Sequence, residues 1–135
     1  VIAIGVAVLA LLALSQISTK SITNSGSASR QSSASNYAQT AVDRVRNTKN
    51  SLGLAGKTDP ALADGVWCFD GEVIDTTTAD YCQIGSTEFN GRVTISKVLI
   101  PPVTGKTEMT VVAEVQWVEG SLTRTVKNEG KFVFD

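Results

Sequence analysis

The chain opens with fourteen consecutive apolar residues, VIAIGVAVLALLAL, and no charged side chain precedes Lys20. A helix that is apolar on every side has no face to offer water, so it must be buried in lipid or in protein. A bilayer-spanning helix needs about 20 mostly apolar residues, and the uncharged run from Val1 to Thr19 comes close to that length. Three readings compete. The run is a signal peptide with a small-x-small site at Ala13-Leu14-Ser15, cleaved before Gln16. Or it is a membrane anchor, or a contact surface shared with identical copies. No basic leader precedes the run, so further residues upstream are expected.

The next stretch, STKSITNSGSASRQSSASN (18–36), has ten Ser or Thr among nineteen residues. Composition alone suggests a flexible polar linker. Yet it contains no Pro and only one Gly, and Ile17, Ile22 and Ala28 continue the apolar punctuation. Beyond it, Ala34, Ala38, Ala41, Val42, Val45 and Leu52 recur at helical spacing, with Asp43, Arg44 and Arg46 facing away. Gly53 is the expected C-terminal stop. No Pro occurs before Pro60, so one helix over residues 1 to about 51 is possible, roughly 75 Å long at 1.5 Å per residue. Its Ser-rich middle would be its weakest part, because Ser hydroxyls compete for the backbone.

After Pro60 the period changes to two. VWCF (66–69) and EVI (72–74) flank Asp70-Gly71 as a hairpin. GRVTISKVLI (91–100) places Val93, Ile95 and Leu99 on one face, and Pro101-Pro102 ends it. EMTVVAEVQWVEG (108–120) places Met109, Val111, Ala113, Val115 and Trp117 on one face, with Thr110, Glu114 and Gln116 on the other. A turn at Glu119-Gly120-Ser121 leads into LTRTVKN (122–128), and KFVFD closes the chain. The pattern predicts an antiparallel meander with one buried face, covered by the helix face of residues 34–52. Domain boundaries follow: a helix at 1–52, apolar over 1–19 and amphipathic over about 28–52, then a β-domain at 53–135. Cys68 and Cys82 are the only cysteines, and an export route makes a structural disulfide between them the natural expectation.

Chemistry is scarce. There is no His, which removes the commonest general base and transition-metal ligand. No phosphate-binding loop or nucleophile constellation is present, and the Cys pair lacks CxxC spacing, so no enzyme, cofactor or metal is expected. Asp59, Asp64, Asp70, Asp75 and Asp80 match no EF-hand loop and read as surface loops. The net charge of −1 argues against a broad nucleic-acid footprint. Arg44, Arg46 and Lys49 read as a solvated or subunit-contacting face at a helix C-terminus rather than a DNA site.

VIAIGVAVLALLALSQIS and SNYAQTAVDRVR, followed by the small disulfide-bearing sheet, resemble the type IV pilin family, including the pseudopilins of type II secretion. VVAEVQWVEGSLTRTV is similar to the strand-turn-strand end of PilV- and GspI-like minor subunits. The resemblance implies an α+β pilin fold, with a long N-terminal helical spine packed on a small antiparallel sheet. It implies a structural filament subunit that waits in the inner membrane and then joins a cell-surface filament. Its partners would be identical subunits, the pilus assembly machinery and minor pilins. Filament-core packing would fall to Val1, Ile2, Ile4, Gly5, Val6, Val8, Leu9, Leu11, Leu12 and Leu14, with Ala3, Ala7, Ala10 and Ala13 allowing close approach. Local melting on assembly would be expected between Gly5 and Ser15. The family's Gly, methylated Phe and fifth-position Glu would precede Val1, and its frequent helix-breaking Pro has no counterpart here.

The alternative is an exported β-domain that is anchored or released and acts as a binding module. The Ser-rich segment discriminates. In a filament subunit it is helical and buried against neighbours, whereas in a tethered domain it is a disordered linker.

Overall fold

The computed structural model describes residues 2–71, 74–75, 81–101 and 105–134 of the 135-residue chain, with side chains at residue 21 and from residue 24 onward, Asp75 excepted. Its first element is one uninterrupted helix, α1, Ile2–Leu52. Short 3₁₀ turns follow at Gly53–Lys57 and Pro60–Leu62. The strands are β1 (Gly65–Phe69), β2 (Ile74–Asp75), β3 (Cys82–Gln83), β4 (Asn90–Leu99), β5 (Thr107–Glu119) and β6 (Leu122–Phe134). One helix packed on an antiparallel sheet makes the chain α+β. Internal contacts divide it into two compact units, Val1–Ser32 and Ser33–Asp135. That boundary falls inside the helix rather than at its end, because residues 34–52 carry the side chains that pack on the sheet.

In the first unit the Ser-rich segment is helical. Its side chains between residues 24 and 32 are exposed or half-exposed, and none is buried. Farther along the same helix, hydroxyls turn back on their own backbone. Thr40 Oγ1 donates to the Asn36 carbonyl at 2.8 Å, and Thr48 Oγ1 donates to Arg44 at 3.0 Å. Such bonds satisfy the hydroxyl without ending the helix.

In the second unit, Ala34, Ala38, Ala41, Val42 and Val45 are buried on one helical stripe, with Tyr37 and Leu52 half-buried beside it. The alanines bring the backbone close to the sheet, and the valines supply the apolar area. Burying each valine is worth about 1.5–3 kcal/mol. The helix stops where the sequence indicates: Gly53 has φ +56°, the left-handed conformation that glycine adopts without steric cost.

The sheet order is β2-β1-β4-β5-β6, with β3 pairing along β4, and every pairing is antiparallel. The expected two-residue Asp70-Gly71 turn is not the one formed: Phe69 pairs with Ile74 and Cys68 with Asp75, so the connection between the two strands is four residues long and β2 starts at Ile74 rather than at residue 72. Met109, Val111, Ala113, Val115 and Trp117 of β5 are buried, as are Val93 and Ile95 of β4. Leu99 is not: it shares their parity but is 70% exposed, because the strand runs past the end of the core. The last strand is continuous where the sequence pattern breaks at Asn128-Glu129-Gly130. Gly130 marks no turn there. It sits under the helix, where a side chain would collide with Val42 and Phe132. A strand glycine often marks such a close approach.

Candidate functional site

The candidate device is the helix together with the surfaces around its docked half. The ten filament-core positions (Val1, Ile2, Ile4, Gly5, Val6, Val8, Leu9, Leu11, Leu12 and Leu14) lie outside the residues whose side chains are described. Among the described residues no helix is long and apolar enough to cross a membrane. The structure shows the backbone on which the nine positions after Val1 are carried, as part of the same helix that docks on the sheet.

The basic residues near the helix end turn toward the last strand. The Arg46 guanidinium meets Asp43 at 3.0 Å and lies 5.4 Å from the centre of the Phe132 ring. Lys49 Nζ lies 5.4 Å from the Phe134 ring centre. A cation over an aromatic face is attracted by the ring quadrupole. Two of the three expected basic residues therefore help seat the helix on β6. Arg44 is exposed.

The sheet's second face holds an ion-paired cluster whose depth the alternation does not show. Glu114 falls on the polar parity of β5, yet it is only 5% exposed. The pairing register explains why. Arg92 of β4 stands opposite it on one side, and Lys127 of β6 on the other. Arg92 Nε donates to Glu114 Oε2 at 2.7 Å, and Lys127 Nζ reaches Oε1 at 2.6 Å. The Arg92 guanidinium in turn stacks over Tyr81, 4.4 Å from the ring centre. Burial by itself would raise the Glu114 carboxyl. The hydrogen bonds from Lys127 and Arg92, with their positive charges, outweigh it and hold the group below its ordinary range. The cluster ties three strands together across the solvent-side face. The sequence signal was available only in pairs: Arg92, Glu114 and Lys127 share a row once strand register is known.

Cys68 and Cys82 form a disulfide, with Cα atoms 5.4 Å apart. It links β1 to β3, the two-residue strand that the sequence reading leaves in a loop. Asp59 accepts a hydrogen bond from Ala61 N at 2.8 Å and caps the Pro60–Leu62 turn, a structural role for one of the loop aspartates. The Trp117 indole N–H is buried without a hydrogen-bond partner among the described residues. Its ring packs edge-on against Phe89, with centroids 5.9 Å apart, and Phe89 packs against Tyr37 of the helix. Among the described residues no group of three or more Cys, Asp or Glu side chains gathers as metal ligands would.

The outward surface carries seven exposed large apolar side chains among the described residues: Leu54, Val66, Val98, Leu99, Val118, Leu122 and Val133. Comparison with known protein families, with curated proteins and with solved structures finds no match to this chain.

Proposed function

We propose that this chain is a structural subunit of a bacterial type IV pilus or pseudopilus and that it polymerises through its apolar N-terminal helix. The observation that carries the reading is the continuity of α1 across the Ser-rich segment. A tethered binding module needs slack between anchor and domain, and this segment offers a helix instead. The apolar run and the sheet-docking stripe are thereby parts of one element. That is the arrangement a spine requires: one end satisfied by lipid and later by neighbouring helices, the other satisfied by its own sheet.

Within this reading the chain has the pilin fold, and the small residues of the first turns admit close helix–helix approach while the leucines fill the gaps. Identical head-to-tail contacts that do not close give a helical polymer. The role is structural and non-enzymatic, with identical subunits, the assembly machinery and minor pilins as partners. Location follows: the inner membrane before assembly, the cell-surface filament after it.

Immunogold electron microscopy with antibodies against residues 53–135 tests this. Gold along filaments from the wild-type strain, lost in a Leu12→Lys strain that still holds the folded β-domain, is the expected result. Gold on the cell envelope alone, or filaments unaffected by Leu12→Lys, would remove the polymer reading and leave an anchored domain.

A further inference from the structure

We propose that the Cys68–Cys82 crosslink acts on the ion-paired row of the neighbouring strands. It clamps Tyr81 over Arg92, and this clamp governs how much acid the Arg92–Glu114–Lys127 row withstands. The device holds whether or not the chain polymerises.

Strand register puts the crosslink and the ion pairs in one line. Cys68 of β1 stands opposite Arg92 of β4, Arg92 opposite Glu114 of β5, and Glu114 opposite Lys127 of β6. Residues directly opposite share a face of the sheet, so Cys68 stands on the same solvent-side face as the three charges. It is buried there nonetheless. Its partner Cys82 belongs to β3, which pairs with β4 at Gly91, next to Arg92. Pairing of β3 begins at Cys82, so Tyr81 lies one residue outside the strand and the crosslink is the covalent anchor beside it. From that position the Tyr81 ring covers the Arg92 guanidinium, 4.4 Å from the ring centre.

The ring falls on the better sheltered of the two cations. Arg92 reaches Glu114 Oε2 through both Nε and Nη2. Its side chain is 26% exposed, against 66% for Lys127. An aromatic face attracts a guanidinium and keeps water from it. Excluding water strengthens the hydrogen bonds beneath. The positions diagonal to Glu114 are neutral: Asn90 and Thr94 on β4, and Thr125 on β6. Glu129 lies two residues beyond Lys127 and pairs with Lys131 at 3.8 Å. Asp75 of β2 stands opposite Cys68, at the far end of the row.

In the crosslinked chain, burial raises the Glu114 carboxyl, and the hydrogen bonds and charges of Lys127 and Arg92 outweigh it and hold the group below 4.5. Without the anchor Tyr81 leaves Arg92, the guanidinium hydrates, and the carboxyl rises toward its ordinary value. A depressed carboxylate loses its contribution as pH falls through the folded value, so the unclamped row breaks at a higher pH.

Nuclear magnetic resonance of the detergent-solubilised full chain, with carboxyl-labelled Glu, follows the Glu114 titration midpoint. Its signal is assigned by its loss in Glu114→Gln. Tyr81→Ala should raise the midpoint by about half a pH unit, the worth of one exposed cation–π contact. The Cys68→Ala, Cys82→Ala double variant should raise it as far, and all three changes together no further. Tyr81→Phe, which keeps the ring, should keep the wild-type midpoint. An unmoved midpoint in Tyr81→Ala would overturn the proposal, and so would equal shifts from Tyr81→Ala with and without the crosslink. One glycine inserted between Tyr81 and Cys82 retains the crosslink and frees the ring, which keeps the test decisive if the cysteine-free chain does not fold. That insertion should match Tyr81→Ala, and a wild-type midpoint in it would overturn the clamp.

Discussion

A methyl group on the Cα of Gly130 would stand 2.7 Å from Cγ1 of Val42. No carbon atoms rest that close, so the helix seats on β6 only because the strand has no side chain at that point. Gly130→Ala is expected to destabilise the β-domain by about 1–3 kcal/mol, the usual cost of overpacking. Trimming the partner should recover part of the loss, so Gly130→Ala with Val42→Ala should be less unstable than the sum of the single variants. Urea denaturation of the detergent-solubilised chain, followed by Trp fluorescence, measures the coupling.

Glu114 contributes stability that depends on pH in one direction. Its carboxyl is held below the ordinary value of 4.5 in the folded chain. A group depressed by folding stabilises above its unfolded pKa and loses that contribution as pH falls through the folded one. The wild-type chain should therefore lose stability progressively below about pH 4.5. Glu114→Gln should cost about 1–2 kcal/mol at pH 7, at the low end for a charged hydrogen bond because Lys127 is 66% exposed and returns to water. The variant should also show a flatter acid limb. Melting curves of both chains between pH 3 and 7 decide this; parallel limbs would mean that Glu114 titrates normally.

Reducing the Cys68–Cys82 bond frees a loop whose ends are 14 residues apart. Loop-closure entropy assigns such a crosslink about 3 kcal/mol. For a unit of this size that is roughly 10–20 °C in melting temperature. The Cys68→Ala, Cys82→Ala double variant should match the reduced wild-type chain in differential scanning calorimetry. A shift of only a degree or two would mean that the short β3 strand is held by pairing alone.

Ser29→Pro probes the helix where nothing is packed on it. The position is exposed and lies in the first compact unit. Proline there removes a backbone donor and clashes with the preceding turn, at a cost of about 3 kcal/mol or more to the helix. The β-domain should melt at the wild-type temperature, while filament yield should fall sharply. Unchanged yield would show that assembly needs no continuous spine through residues 24–33.

Much of this architecture is legible in the sequence because each signal is local. The stop at Gly53, the inward face of β5 and the Ala34–Ala38–Ala41 stripe follow from spacing and turn chemistry. What escaped depends on register between distant segments. The depth of Glu114 arises from Arg92 and Lys127, which are neighbours only after three strands align. Gly130 reads as a break because glycine is usually a break, and its use as a seat for Val42 needs the helix overhead. Leu99 alternates correctly yet lies beyond the core, since periodicity reports a face and not where the cover ends. The filament-core residues were legible only as an unbroken apolar run, which states that they must be buried and not against what.

The strand that receives the helix is made after all the other described strands. Asn128 of β6 donates to Gln39 of the helix across 89 residues of chain. At about 5–20 residues per second, a ribosome needs roughly 5–20 s to travel that distance. Through that interval the docking stripe at residues 34–45 lacks β6 to complete its cover, while the apolar run ahead of it has already been made. The order of synthesis thus separates two burial events in time: a greasy segment that must be sheltered at once, and a domain that can close only when β6 arrives.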